Sequence, residues 1–419
     1  MGKSKKYGMN TKALHANKRF EPISGDVMPP LHLSTTYIND VPGESEYFYG
    51  RVNNPTRELF ERTLASLEGI ENYEELHAFA MASGMAAIST SIMANVKSGD
   101  HVIFQEDLYG GTRNFIKTEF DKYGIEYSFT KGLESEDFTN EIRDNTVGIY
   151  VETPSNPLLK IVDLKSISSV AKENSIWTMI DNTFASPVNQ NPIDHGIDIV
   201  IHSATKYLGG HSDISAGAVV STEKNINLIL NSAKNFGGNL SDYTVWLLER
   251  SMKTLFIRVR EQTNNAKLLA KMLEENSNIS RVYYPGLESH PSYLIAKNQM
   301  KDFGAMMSFD LNENILWWAS EEVIIPYRSP VDGRYHRYYP DFVINVRQRD
   351  GKTKTLMIEV KPENQKNAPK VRARKTKKYI NEVVTYAVNQ AKWDAAIEYC
   401  NDRMWEFKVL TEKDMGINS

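Results

Sequence analysis

The chain has 419 residues, enough for two or three domains, with an ordinary 41% hydrophobic and 24% charged residues and a net charge of −4. Its single cysteine, Cys400, excludes an internal disulfide, and the start Met1-Gly-Lys-Ser-Lys-Lys6 has no apolar run behind it, so no secretory leader is expected. No stretch approaches a membrane span, and a reducing, cytoplasmic compartment is expected. The charge is uneven. Residues 314–419 carry 19 Lys+Arg against 14 Asp+Glu, a net of +5, which leaves 30 against 39, a net of −9, for residues 1–313. Trp317, Trp318, Trp393 and Trp405 also fall in that last quarter, so two modules with different partners are expected.

Residues 1 to about 58 are rich in Pro and Gly and read as an irregular arm. Pro55-Thr56 opens a helix with apolar spacing Leu59, Phe60, Leu64 and Leu67, stopped by Gly69. Ser83-Gly84-Met85 opens another, with Ala86, Ala87, Ile88, Ile92 and Met93 as its apolar positions. His101 to Phe104 reads as a short strand, Thr146 to Val151 as an apolar run, and Asp163 as the cap of a helix through Leu164, Ile167, Val170 and Ala171. Strands are predicted at Thr178 to Ile180, Ile197 to Ile201 and Gly217 to Val220. Runs that are apolar throughout and alternate with helices predict an α/β fold, a mainly parallel sheet with helices on both faces. A long amphipathic helix is predicted from Trp246 to about Glu275, and Phe303 to Leu311 reads as a further strand.

In such a sheet, functional residues belong at the carboxyl ends of strands. Two sit there: Asp181, ending Trp177-Thr-Met-Ile-Asp181, and Lys206, in His202-Ser-Ala-Thr-Lys-Tyr-Leu-Gly-Gly210. A lysine just past a buried strand loses ammonium character, and a neutral amine forms Schiff bases with carbonyl compounds such as pyridoxal phosphate. A carboxylate at Asp181 suits a pyridinium nitrogen. The small residues Ser83 and Gly84, with Met85, at a helix N-terminus suit a phosphate, and Tyr109 suits stacking on a flat ring. Taken singly, the same residues also read as a surface lysine, a helix cap, a turn and a core aromatic.

Ser34-Thr-Thr-Tyr37, Tyr49-Gly-Arg-Val-Asn-Asn-Pro-Thr56, Ala82-Ser-Gly-Met-Ala86, Glu152-Thr-Pro-Ser-Asn-Pro157, Asp181-Asn-Thr-Phe184 and Ser203-Ala-Thr-Lys-Tyr207 together resemble the Cys/Met-metabolism family of pyridoxal-phosphate enzymes. Arg250 to Leu255 and Tyr284-Pro-Gly-Leu287 extend the resemblance over residues 9 to about 311. It implies a fold-type-I pyridoxal-phosphate transferase domain that acts on an amino-acid substrate by gamma-elimination or gamma-replacement on cystathionine or activated homoserine. Lys206 would be the Schiff-base lysine and Asp181 the ring-nitrogen partner. Tyr109 would stack on the ring and assist at the leaving group. Ser83, Gly84, Met85, Ser203 and Thr205 would hold the phosphate, and Asn156 is a further cofactor-binding residue. Tyr49 and Arg51 would reach the phosphate of a neighbouring subunit, implying a homo-oligomer, a dimer or a dimer of dimers. Gly111 stands where methionine gamma-lyases carry a cysteine, which favours cystathionine chemistry. The resemblance stops after Leu311. The arginine for the substrate carboxylate and the Ser-bearing loop near the ring, which the family carries later, have no counterpart.

From residue 313 the pattern changes. Strands around Tyr339 to Gln348 and Thr353 to Pro362 flank Asp350-Gly351, a hairpin signal. A two-residue loop would put Asp341 and Glu359 on opposite faces. A three-residue loop at Arg349-Asp350-Gly351, with Gly351 left-handed, pairs 348 with 352 and hence Asp341 with Glu359. Ile358 and Val360 then share one face, Glu359 and Lys361 the other. Two carboxylates hold Mg²⁺ beside phosphates, and the metal activates a water; an exposed Glu/Lys pair on a surface hairpin is the plain alternative. Pro340-Asp341, Glu359-Val-Lys361, Lys378-Tyr-Ile-Asn-Glu382, Lys392-Trp-Asp-Ala-Ala396 and Phe407-Lys-Val-Leu-Thr-Glu412 resemble PD-(D/E)xK nucleases, above all those of phage head completion. This implies a small restriction-endonuclease-like module with Asp341 and Glu359 as metal ligands and Lys361 assisting the attacking water. The basic run Lys370, Arg372, Arg374, Lys375, Lys377 and Lys378 suits DNA phosphates, or equally a solvated helix face. The expected order is an arm at 1–58, a cofactor-binding large domain at 59–245, a truncated C-terminal domain at 246–312 and the nuclease-like module at 313–419. No Pro/Gly/Ser linker marks the join near residue 312, and the acidic opening helix of the nuclease relatives has no counterpart there.

Overall fold

The computed structural model describes residues 7–15, 25–26, 28–39, 46–70, 75–311, 315–320, 322–347, 351–369, 376–411 and 414. The chain divides into two compact units, Met1–Glu275 with Val282–Phe309, and Asn276–Arg281 with Asp310–Ser419. The expected join at residue 312 lies outside the described residues.

The first unit holds a seven-stranded sheet of β1 (Ala78–Met81), β2 (His101–Phe104), β3 (Glu126–Phe129), β4 (Thr146–Glu152), β5 (Trp177–Asp181), β6 (Ile199–His202) and β7 (Gly217–Ser221), in the order β1-β7-β6-β5-β4-β2-β3. Strands β6, β5, β4, β2 and β3 run parallel, and β7 runs antiparallel to both β6 and β1. Both faces are buried, as continuous apolar runs predict. Ala80, Ile103, Ile149, Val151, Ile180, Val200 and Val220 point into one core, and Phe79, Phe104, Tyr150, Met179, Ile201 and Val219 into the other. Residue-by-residue alternation along each strand feeds both.

The helix Pro55–Leu67 starts with Pro55 in its first turn and with the Asn54 side chain accepting the Thr56 amide. Asp163 caps Leu164–Glu173, accepting the amides of Lys165 and Ser166. Two expectations change. The arm is not wholly irregular, because Met9–His15 is a helix whose Ala13 is buried in the core and whose neighbour Lys12 donates to the Ser66 carbonyl at 3.1 Å. The long helix from Trp246 is two helices, Asp242–Met252 and Leu255–Glu274. They part at Lys253-Thr254, where the backbone bonds tighten to a three-residue spacing, Lys253 N–H to the Arg250 carbonyl at 3.4 Å and Thr254 N–H to the Ser251 carbonyl at 3.3 Å, and the Thr254 hydroxyl and Arg258 also donate to the Ser251 carbonyl. The short strands β8 (Ile279–Tyr283) and β9 (Ser308–Leu311) form a separate two-stranded sheet.

The second unit is built on β10 (Ile315–Ala319), β11 (Ile325–Arg328), β12 (Tyr335–Tyr338), β13 (Phe342–Arg347), β14 (Thr353–Val360) and β15 (Glu406–Leu410). The order β10-β13-β14-β15 forms one sheet, with β14 and β15 parallel and the other pairs antiparallel, while β11 and β12 pair separately. The helix Lys377–Asn401 packs Ala396 and Cys400 with Val343, Met357, Ile325, Tyr327 and Tyr338. Arg349 and Asp350 lie outside the described residues, but Phe342 pairs with Ile358 and Arg347 with Thr353, the register that the three-residue loop requires, and Gly351 has φ +82°. No described helix is long and apolar enough to cross a membrane.

Candidate active site

Four strand ends and one helix start build the site of the first unit. Ser83 caps the helix Gly84–Ala94, its hydroxyl oxygen accepting the Ala86 amide at 3.0 Å. Gly84 is required by close packing: a Cβ there would lie 2.8 Å from both Cβ and Oγ of Ser203. Gly217 repeats the constraint from β7, where a Cβ would fall 2.0 Å from the Ser83 carbonyl oxygen and 3.0 Å from the Gly84 nitrogen. The helix start is thereby pressed against the Ser203 turn, leaving its first amides available to an anion.

Asp181 ends β5 at 6% exposure, its Oδ1 accepting the Thr183 amide at 3.0 Å. Thr183 Oγ1 accepts the Ser203 amide at 2.7 Å, tying β5 to the turn after β6. Burial raises the Asp181 pKa, opposed by its bonds to Thr183 and by the nearby His202. Glu152 stands beside Asp181 in the parallel register of β4 and β5 and is likewise buried. Burial, then the Asp181 charge, pushes it well above the usual carboxylate range. Its Oε2 accepts the amide of Tyr109 at 2.8 Å and its Oε1 that of Asn156 at 2.9 Å. The Tyr109 ring, 46% exposed, lies over Gly111, where a Cβ would come 2.5 Å from Tyr109 Cε1 and 3.2 Å from Met85 Sδ.

The structure thus links Ser83, Gly84, Met85, Tyr109, Asn156, Asp181 and Ser203 in one chain of contacts at the carboxyl edge of the sheet. Three other residues behave differently. Lys206 is exposed rather than buried: β6 ends at His202, and the following turn carries residue 206 out beyond the sheet. Arg258 braces that turn from below, donating to the Tyr207 carbonyl at 2.9 Å. Thr205 commits its hydroxyl proton to the Ala216 carbonyl at 3.1 Å and accepts the Ala216 amide at 2.9 Å. Arg51 lies 5.4 Å from the Tyr49 ring centroid and donates to the Lys234 carbonyl. Sequence reasoning passed over two buried groups, Glu152 and the Glu68–His202 pair at 2.6 Å. Glu152 ends an apolar run inside a quoted motif, as Asp181 does, and that position was the available signal.

In the second unit, Asp341 and Glu359 occupy opposed positions at one end of the β13–β14 pair. Glu359 is 2% exposed on the same face as Met357, its Oε2 accepting the Tyr338 hydroxyl at 2.7 Å and its Oε1 lying 2.7 Å from Lys361 Nζ. Asp341 Oδ2 accepts the Val360 amide at 2.6 Å. Burial, then the Glu359 carboxylate, raises the Tyr338 pKa, with Asp341 adding to it. Tyr338 was not foreseen. Among the described residues no group of three or more His, Cys, Asp or Glu is placed to hold a metal. Of the basic run, Lys377 and Lys378 are exposed at the start of the helix Lys377–Asn401, and 370–375 lie outside the described residues.

Residues 312–412 match the model of the TnsA-like endonuclease N terminal domain, which agrees with the nuclease resemblance. Residues 10–324 match that of the Cys/Met metabolism PLP-dependent enzymes. The chain is 41% identical over 304 residues to a probable cystathionine gamma-synthase of Herpetosiphon aurantiacus, covering 72% of this chain and 93% of that protein. It is 41% identical over 307 residues to a cystathionine beta-lyase of Lactococcus lactis subsp. cremoris, covering 73% and 79%. The solved cystathionine gamma-lyase from Lactobacillus plantarum, complexed with L-serine, superposes with a TM-score of 0.70 at 37% identity, covering 74% of this chain and 80% of that one. With a mainly parallel sheet, the strand-end acid and lysine, and a family match over most of its length, the chain belongs to the Cys/Met metabolism PLP-dependent enzymes.

Proposed function

We propose that the first unit catalyses gamma-elimination or gamma-replacement on cystathionine or an activated homoserine, using pyridoxal 5'-phosphate held by the residues linked above. The observation that carries the reading is the close approach of Ser83-Gly84, Ser203 and Gly217 beside the buried Asp181. The residues fit the cofactor. The Gly84 helix start offers amides to a phosphate, the Asp181 carboxylate suits a ring N–H, and the Tyr109 ring presents an open face. When bound, pyridoxal phosphate supplies an electron sink for charge developing on the substrate. Asp181 keeps a proton on the ring nitrogen. Lys206 Nζ, on its exposed turn, provides the covalent attachment and then moves protons at the substrate carbons. Tyr109 assists departure of the leaving group, and Asn156 completes the ring's polar contacts. The exposed apolar residues Leu33, Ile38 and Phe48 on the arm support a homo-oligomer, in which Tyr49 and Arg51 reach a neighbouring subunit's phosphate.

Turnover is expected to be impaired, because no arginine clamp for the substrate carboxylate follows Leu311 in the resemblance; a misplacement of about 1 Å costs on the order of 100-fold. Borohydride reduction followed by peptide mass spectrometry should put the cofactor on Lys206. Keto-acid release from cystathionine and O-acylated homoserines should stay well below the enzyme median of about 10 per second. An adduct on another lysine would overturn the assignment, and ordinary turnover would overturn the impairment.

We infer a second activity for the other unit, Mg²⁺-dependent DNA cleavage. It is supported by the opposed Asp341 and Glu359 with Lys361 on the same carboxylate. Residues 370–378 would contact phosphates. Nicking of supercoiled plasmid with Mg²⁺, absent with EDTA, tests it; no nicking by the pure protein over a range of Mg²⁺ concentrations counts against it.

A further inference from the structure

Glu152 is a buried acid for which the cofactor reading has no use. It ends β4 at 5% exposure, and it is not itself among the residues expected to meet the cofactor. A buried carboxylate is costly unless its oxygens are satisfied. Here each oxygen takes one backbone amide, and the two amides belong to different loops: Tyr109 at 2.8 Å, in the loop after β2, and Asn156 at 2.9 Å, in the loop after β4.

Further bonds tie the same two loops to this strand end. The Glu152 amide donates to Gln105 Oε1 at 3.0 Å, and Gln105 Nε2 returns bonds to the carbonyls of Glu152 and Asp107 at 2.9 and 2.6 Å. Ser155 Oγ donates to Asp107 Oδ2 at 2.9 Å. The carboxylate is the member of this network that touches both Tyr109 and Asn156. Tyr109 precedes the helix Gly110–Tyr123 without a side-chain cap, so its amide is held by Glu152 from outside the helix.

The residue type matters. A carboxyl group keeps acceptor lone pairs on both oxygens, with or without a proton, and so meets two N–H groups. A glutamine of the same length turns an NH₂ group towards one of them. That leaves a buried donor facing a donor, which costs more than simply losing a bond.

We propose that Glu152 is a positioning residue that holds Tyr109 and Asn156 in fixed relation beside Asp181, a role that rests on the cofactor reading above. Substrate and cofactor need not touch it. Its effect reaches the chemistry through the placement of the Tyr109 ring and of Asn156.

The experiment compares the full-length wild type with Glu152→Gln. In cofactor-free protein, amide hydrogen exchange at Tyr109 and Asn156 is expected to be about 10- to 100-fold faster in the variant for at least one of the two. In cofactor-loaded protein, the variant should keep the borohydride-trapped adduct on Lys206 while the visible circular dichroism band of the cofactor weakens. The kcat should fall about 10- to 100-fold with KM changed less than about threefold. Unchanged exchange, or a dichroism band and kcat both within about twofold of wild type, overturns the proposal while leaving the Lys206 reading intact. No Lys206 adduct in the wild type overturns the cofactor reading and this proposal with it. Should Glu152→Gln not fold, Glu152→Asp keeps the carboxyl group but shortens its reach, and the same two comparisons apply. Fast exchange at both amides in the wild type is by itself sufficient to overturn the proposal.

Discussion

Gly217→Ala should separate cofactor binding from the rest of the fold. The added Cβ would lie 2.0 Å from the Ser83 carbonyl oxygen, 2.5 Å from the Ser83 carbonyl carbon and 3.0 Å from the Gly84 nitrogen. All three are backbone atoms, so no side chain can swing aside. Reaching even 3.0 Å from the oxygen means opening the contact by about 1 Å. Gly217 pairs with Met81 and starts β7, so the strand is anchored and the helix start at Ser83-Gly84 must yield. Overpacking of this kind costs about 1–3 kcal/mol of stability. It also moves the amides meant for the phosphate by the distance that makes positioning effects about 100-fold. We expect the cofactor dissociation constant, followed by absorbance during dialysis, to rise at least about 10-fold, with a fall in Tm of several degrees. Gly238→Ala is the control, since its Cβ would sit 3.6 Å from Ala86 Cβ on the same helix, an ordinary contact. Cofactor affinity in Gly217→Ala equal to that of the control would refute the assignment of this helix start to the phosphate.

Glu61, buried between Arg57 and the Ala80 amide, is pushed up by burial from 4.5 to about 7. Its folded pKa exceeds its unfolded one, so its stability contribution is full below about pH 4.5 and is lost as pH rises through about 7, up to roughly 3 kcal/mol. Glu61→Gln should flatten the corresponding decline in Tm across that window, and an unchanged slope would refute the burial argument. Cys400, packed on Met357 and raised by burial to about 11, should resist a thiol reagent at pH 8 until the second unit opens. Stoichiometric labelling of native protein within minutes would contradict the packing. Glu359→Gln should reduce Mg²⁺-dependent plasmid nicking by about 100-fold or more, and undiminished nicking would remove Glu359 from the proposed metal site.

Several features were legible before any coordinates because they depend on local chemistry. Asp163 caps its helix, Asn54 and Pro55 start theirs, and the apolar runs ending at Asp181 and His202 form buried strands. The Asp341–Glu359 register was equally readable, since a left-handed Gly351 and period-two alternation leave only one pairing that puts both acids on one face. Other features depend on which strands become neighbours. Motif order along the chain does not reveal that β7 lies between β1 and β6, the arrangement that brings Gly217 against Ser83. Nor does it show that β4 and β5 align Glu152 with Asp181, or that one carboxylate reaches two loops. The exposure of Lys206 is of the same kind. A strand's burial is written in its composition, but the direction in which a turn leaves the sheet is set by what braces it, here the Arg258 guanidinium on the Tyr207 carbonyl. Side-chain periodicity and capping act over a few residues and so survive in one dimension, whereas close backbone approach and shared carboxylates join residues far apart in the chain and exist only once the sheet has assembled.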